Sequence, residues 1–142
     1  AWPHETTGWQ DAIDEAQHRG VVRSRGASVH GLPARAQVPT FKWLQVAMIR
    51  CNHKGTRMDT PVADSPENGN VPEVVERIHQ ARAAGMGVLS MKLIGEGVFD
   101  REDRKKAMRF AFRAAKVDAV TVGYKNNAEV DEAIENINMA FV

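Results

Sequence analysis

Two short stretches of this sequence combine residue types that can hold phosphate. In "VLSMKLIGEGVF", Val88 to Phe99, Lys92 stands directly behind an apolar run, and Gly95 and Gly97 follow it. Glycines let a backbone turn and bare its N–H groups, and a lysine adds a point charge nearby, an arrangement that suits a diphosphate. The order G-x-x-x-x-G-K-[S/T] of a Walker loop is absent. In "YKNNAEVDEA", Lys125, Asn126 and Asn127 precede a helical pattern, and the free N–H groups at a helix start attract anions. The plainer alternative for Lys92 is a solvated lysine at a strand end. A third group, Cys51, His53 and Asp59, offers sulfur, nitrogen and oxygen donors but no zinc-ligand spacing. No metal is expected there.

Four apolar runs must position these residues: "GVVRSRGASV" (Gly20 to Val29), "WLQVAMIRC" (Trp43 to Cys51), "GVLSMKLI" (Gly87 to Ile94) and "VDAVTVG" (Val117 to Gly123). Each has strand length and strand composition. The last two are nearly continuous, which predicts strands covered on both faces.

Helical patterns alternate with them. "GWQDAIDEAQHRG" sets Trp9, Ile13 and Ala16 along one side, and "VPEVVERIHQARAAG" has Pro72 in its first turn and Gly85 as its stop. "DREDRKKAMRFAFRAA" opens on Asp100 as N-cap and turns Ala107, Phe110 and Ala111 inward. "NNAEVDEAIENINMAF" opens on Asn126 or Asn127 and turns Val130, Ile134, Ile137 and Phe141 inward. "GLPARAQVPTF" allows only a short helix, and Asn52 to Asn70 reads as a long polar connection. Strands joined by helical crossovers predict an α/β fold with four parallel strands, either an open wound sheet or part of a (β/α) barrel. Both put ligand chemistry at the C-terminal strand ends. Polar and basic residues collect there, at Ser28 to His30, Cys51 to Lys54, Met91-Lys92 and Gly123 to Lys125.

At 142 residues the chain is expected to be a single domain spanning 1–142. It has 19 basic against 18 acidic residues, which gives no electrostatic footprint for nucleic acid or an anionic membrane. No apolar run is long enough to span a bilayer, and "AWPHETTGWQ" lacks a signal-peptide layout. With one cysteine, a reducing, cytoplasmic setting is the simplest expectation.

Taken together, the motifs resemble a known family. "GVVRSRGASVHGLPA" resembles the fifth-strand signature of the aldo-keto reductases, and "VAMIRCNHKGTRMD" the sixth strand and its exit. "GVLSMKLIGEG" is similar to the seventh strand and its pyrophosphate loop, and "VDAVTVGYKNNAEVDEAIENI" to the eighth strand and following helix. They occur in family order with family spacing over nearly the whole chain, and "MKLIGEG" resembles a bacterial branch of oxidoreductases. The resemblance implies strands five to eight, the C-terminal half of a TIM-type (β/α)8 barrel, and binding of NAD or NADP. It also implies that the family's catalytic Asp, Tyr, Lys and His belong to the other half. Upstream sequence is expected before Ala1, and no catalytic residue is assigned.

Residue by residue, the resemblance implies that Ser28 binds the nicotinamide carboxamide. The next family position, an asparagine, is Val29 here, so His30 is assigned the polar contact. The alternatives are a local turn bond for Ser28 and a solvent-facing His30. Met48 replaces a family glutamine and reads more simply as core, whereas Met91 replaces a stacking tyrosine and can still pack on an aromatic face. Lys92 and Gly95 are implied to approach the diphosphate. Lys125, Asn126, Asn127 and Glu132 are implied to approach the adenosine, with a solvated helix-face carboxylate as the alternative for Glu132. Glu129 stands where NADP-specific members clamp the 2′-phosphate, so it opposes that phosphate, while Lys125 compensates; NAD against NADP stays open.

Two functions follow. One is NAD(P)H-dependent reduction of a small carbonyl substrate by the full barrel, this chain supplying the cofactor half. The other is a non-catalytic half-barrel that binds a nucleotide and pairs with itself, as a homodimer, or with an N-terminal half-barrel. The only tyrosine, Tyr124, lies at the last strand rather than in a catalytic Tyr–Lys context. Binding without turnover is therefore expected of the chain alone.

Overall fold

Strands β1 (Gly26–Val29), β2 (Val46–Arg50), β3 (Gly87–Met91) and β4 (Ala119–Val120) lie side by side in chain order, and every neighbouring pair is parallel. The structure, a computed structural model, describes residues 7–60 and 67–142. Helices alternate with the strands: α1 (Thr7–His18), α2 (Leu32–Gln37), α3 (Val71–Ala83), α4 (Arg101–Arg113) and α5 (Asn127–Ala140). The fold is thus α/β with an all-parallel four-stranded sheet, and all four strands leave at one rim. Among the described residues no helix is long and apolar enough to cross a membrane. The polar connection after β2 is described at 52–60 and 67–70; residues 61–66 of it and the first six residues lie outside the description.

The ladders are shorter than the apolar runs. The stretch from Gly20 stays out of the sheet until the Arg25 carbonyl accepts from Gln45 N and Val46 N, both at 3.1 Å. After Val120 the chain makes one more bond, Thr121 N to Ser90 O at 2.8 Å, and then departs.

The helix starts follow the capping residues. Asn70 accepts from Glu73 N at 3.2 Å, Asp100 from Asp103 N at 2.8 Å and Asn126 from Glu129 N at 3.0 Å. α3 buries Val74, Ile78 and Ala81, and Gly85 follows it at φ +86°. α4 buries Ala107, Met108 and Ala111, with Phe110 half-buried. α1 is anchored through Asp14, which accepts from Arg25 Nη1 and Trp43 Nε1, each at 2.9 Å, and through Trp9 packed edge-on against Trp43.

Two packing expectations are corrected. On α5 the buried residues are Ala133, Asn136 and Ala140, not the large apolar ones. Small residues allow the close α4–α5 approach, so Val130 and Ile134 point outward, Phe141 lies against the Phe112 ring of α4 at 5.2 Å, and Ile137 packs partly on the core. Among the described residues the sheet is covered on one face rather than two. Ala47, Ile49, Val88 and Ser90 are sealed beneath the helices, whereas Val46, Met48, Leu89 and Met91, alternating with them, are half-exposed on the other face.

Candidate functional site

A cavity of about 440 Å³ opens at the rim where the strands end. Met48 and Met91 reach it from the open face of β2 and β3. The exit of β3 contributes Lys92, Leu93, Ile94, Glu96 and Gly97. The exit of β4 adds Thr121 to Gly123 and Lys125, and Arg104 and Glu129 complete the wall. The floor is apolar and the edge carries charges of both signs.

The exit of β3 is tightly wound. Lys92, Gly95, Glu96 and Gly97 all have positive φ, at 59°, 58°, 60° and 90°. A Cβ on Gly95 would lie 2.7 Å from the Phe99 ring, so both conformation and space call for glycine there. The N–H groups of Gly95 and Gly97 are not bare as expected. They donate to Lys92 O and Ile94 O, each at 3.0 Å, and close the turn on itself. The Lys92 ammonium pairs with Glu96, and that ion pair holds the Glu96 carboxyl below its ordinary range.

This exit is tied to its neighbour by Asn52, which is fully buried. The Asn52 amide donates to Thr56 O at 2.7 Å and to Lys92 O at 3.1 Å, while its oxygen accepts from Lys54 N and Thr56 N, both at 3.1 Å. All four hydrogen-bonding sites of one side chain are used, so the rim after β2 and the rim after β3 are one unit.

At the last rim position the α5 start is capped reciprocally. Asn126 accepts from Glu129 N, and Glu129 Oε2 accepts from Lys125 N at 2.9 Å. The Lys125 side chain lines the cavity without an ion pair among the described residues. Glu132 is turned elsewhere. It takes two hydrogen bonds from Arg104, at 2.7 and 2.9 Å, and these bonds lower its pKa. Arg104 also donates to Phe99 O at 3.0 Å, so this pair fastens α5 to the base of α4.

Of the residues read from the sequence, Met91, Lys92 and Lys125 are brought together on the cavity wall. Gly95 shapes the wall from within the turn, buried against Phe99. Ser28 lies directly across the ladder from Met48, its hydroxyl 3.6 Å from the sulfur, on the exposed face. His30 is exposed beyond the end of β1, and Asn126 and Asn127 are exposed at the α5 start; none of these three lines the cavity. Met48 is a correction, being part of the cavity floor rather than core. Arg104, Glu96 and Thr121 are wall residues that the sequence reading does not single out.

Cys51, His53 and Asp59 go separate ways. Burial pushes the Cys51 thiol up to about 12. His53 packs edge-on against Phe99 with Asp103 3.6 Å away, and burial lowers its pKa. Asp59 accepts from Arg50 at 3.1 Å and faces the buried Arg35 at 3.9 Å. Among the described residues no three His, Cys, Asp or Glu side chains gather as a metal site.

Comparison of the chain with protein-family models, with curated proteins and with solved structures returns no match.

Proposed function

We propose that this chain is the cofactor-binding half of an aldo-keto reductase-like oxidoreductase, strands five to eight of a (β/α)8 barrel. In this reading it takes NADH or NADPH at the strand exits, and a small carbonyl compound is reduced only when the other half of the barrel is present. The observation that supports it is the rim cavity: an apolar floor of Met48 and Met91 beside two lysines from different strand exits.

These residues fit such a ligand in chemistry. Methionine sulfur packs well on an aromatic ring, so Met48 and Met91 would flank the nicotinamide, with Ser28 near enough to reach its amide. Lys125 would balance the diphosphate, joined by Lys92 once it leaves Glu96, and the exposed α5 start with Asn126 and Asn127 would meet the adenosine end. Glu132 is held by Arg104 and drops out of that role. When bound, the dinucleotide supplies the hydride; the chain binds and orients it.

A carbonyl also needs a proton donor at its oxygen. The one phenol, Tyr124, is half-buried, and burial raises its pKa, which makes it a poor acid at neutral pH. Calorimetric titration of the chain with NADH and with NADPH is expected to show binding of at least one, without turnover. No heat with either removes the reading, and carbonyl reduction by the pure chain overturns the inactivity.

A second reading, a non-catalytic half-barrel that holds a nucleotide, draws on the same cavity and on the lack of an assigned acid. The two separate on reconstitution. A separately produced N-terminal half-barrel restores carbonyl reduction under the first and does not under the second.

A further inference from the structure

Between α4 and α5 runs a groove that shares no residue with the rim cavity. One hollow of about 330 Å³ is lined by Lys105, Arg109, Asn136, Met139, Ala140 and Val142. A second, of about 170 Å³, adjoins it through Lys105, Asn136 and Met139. The larger hollow is at the small end of the range that ligand sites occupy. Lys105 and Arg109 stand one turn apart on α4, and Asn136 and Ala140 one turn apart on α5, so the two pairs share the groove.

Three polar groups there are unspent. Asn136 is only 6% exposed, yet its side-chain amide has no hydrogen-bond partner among the described residues. A buried amide left so is costly, and this one borders both hollows. Lys105 and Arg109 are exposed and in no ion pair among the described residues, whereas Arg101 and Arg104 of the same helix are taken by Glu132. Beside these donors, Met139 and Ala140 give the larger hollow an apolar side.

We propose that this groove binds a small monocarboxylic acid, its carboxylate held by Arg109, Lys105 and the Asn136 amide and its apolar body laid on Met139 and Ala140. A guanidinium fork matches the two oxygens of a carboxylate, and a lysine adds charge without fixing direction. The Asn136 N–H groups gain the acceptor they lack inside the protein. The adjoining hollow limits the charge of the ligand, because Glu102 and Glu135 stand there. Two carboxylates oppose a dianion such as phosphate more than a monoanion. Phosphate would also leave Met139 and Ala140 without a partner. The site goes beyond the nucleotide reading and does not depend on it.

The test follows amide and methyl NMR signals of the full chain during titration with hexanoate, with hexanol, which lacks the charge, and with inorganic phosphate, which lacks the apolar body. Hexanoate is expected to move the Asn136 side-chain amide and the Met139 methyl along one saturable curve and to leave Met48 and Met91 in place. Hexanol and phosphate should bind at least about tenfold more weakly. Arg109→Gln changes an exposed, unpaired side chain, so the circular dichroism spectrum should stay the same while hexanoate affinity falls roughly tenfold. Asn136→Leu keeps the shape of the side chain and gives up no internal hydrogen bond, and it should weaken hexanoate about fivefold. Shifts confined to the rim cavity, no saturation by hexanoate, phosphate bound as tightly as hexanoate, or a hexanoate affinity indifferent to either substitution would each overturn the proposal.

Discussion

The two faces of the sheet are built from alternating residues of the same strands and have opposite surroundings. On β2, Ala47 and Ile49 are sealed under the helices, while Val46, Met48 and Arg50 between them stay half-exposed. On β3, Val88 and Ser90 are sealed and Leu89 and Met91 are not. Hydrophobicity does not separate the two sets, since methionine and leucine line the open side. The difference lies in the neighbours: α3 and α4 cover one face, and no element of the described chain covers the other. Stability of the single chain therefore rests on one side of the sheet, and the rim cavity opens on the other.

The largest effect that tests this contrast is on the covered side. Ile78→Ala empties a fully buried site and should cost about 3 kcal/mol in urea unfolding. Leu89→Ala, at a half-buried position on the other face, should cost less, about 1–2 kcal/mol; equal losses would erase the distinction. Next comes the knot at the rim. Asn52→Ala strips four hydrogen bonds and leaves Thr56 O without its donor and the Lys54 and Thr56 N–H groups without their acceptor, which should cost about 2–3 kcal/mol. Gly95→Ala should cost roughly 1–2 kcal/mol, because φ of +58° and the Phe99 ring both oppose a Cβ. A wild-type melting temperature for that variant would mean the turn adapts freely.

The smallest effect is the pH dependence from His53. Its folded pKa lies below the ordinary 6.5 because burial opposes the charge, with Asp103 partly offsetting this. The unfolded chain therefore takes up the proton first. The contribution is fully present above pH 6.5 and is lost as pH falls from there through the lower folded value. His53→Gln should flatten the stability profile across that window, and an unchanged slope would place its origin elsewhere.

The sequence pattern carries much of this architecture. Asp100 and Asn126 announce their helices, Gly85 ends another, and the strand-plus-helix alternation leads to the parallel order. The α5 face is misread because an amphipathic pattern tells which residues are apolar, not which side finds a neighbour. Ala133, Asn136 and Ala140 win because α4 comes too close for larger groups. At the candidate site, Lys92 is legible because it stands directly behind an apolar run, and Lys125 because it precedes a helix start. Arg104 with Glu132 is not, being a pairing across 28 positions between two helices. Nor is the closed turn at Gly95, whose amides are consumed by carbonyls that only the folded loop brings within reach.

Asn52 also bears on the order of assembly. Its bonds to the turn at 54–56 are local, but its bond to the Lys92 carbonyl joins residues 40 positions apart. That carbonyl arrives only after the intervening crossover has laid β3 alongside β2. The side chain is thus a late clasp, engaged once the ladder exists, and its removal should hasten unfolding while leaving the folding rate nearly untouched.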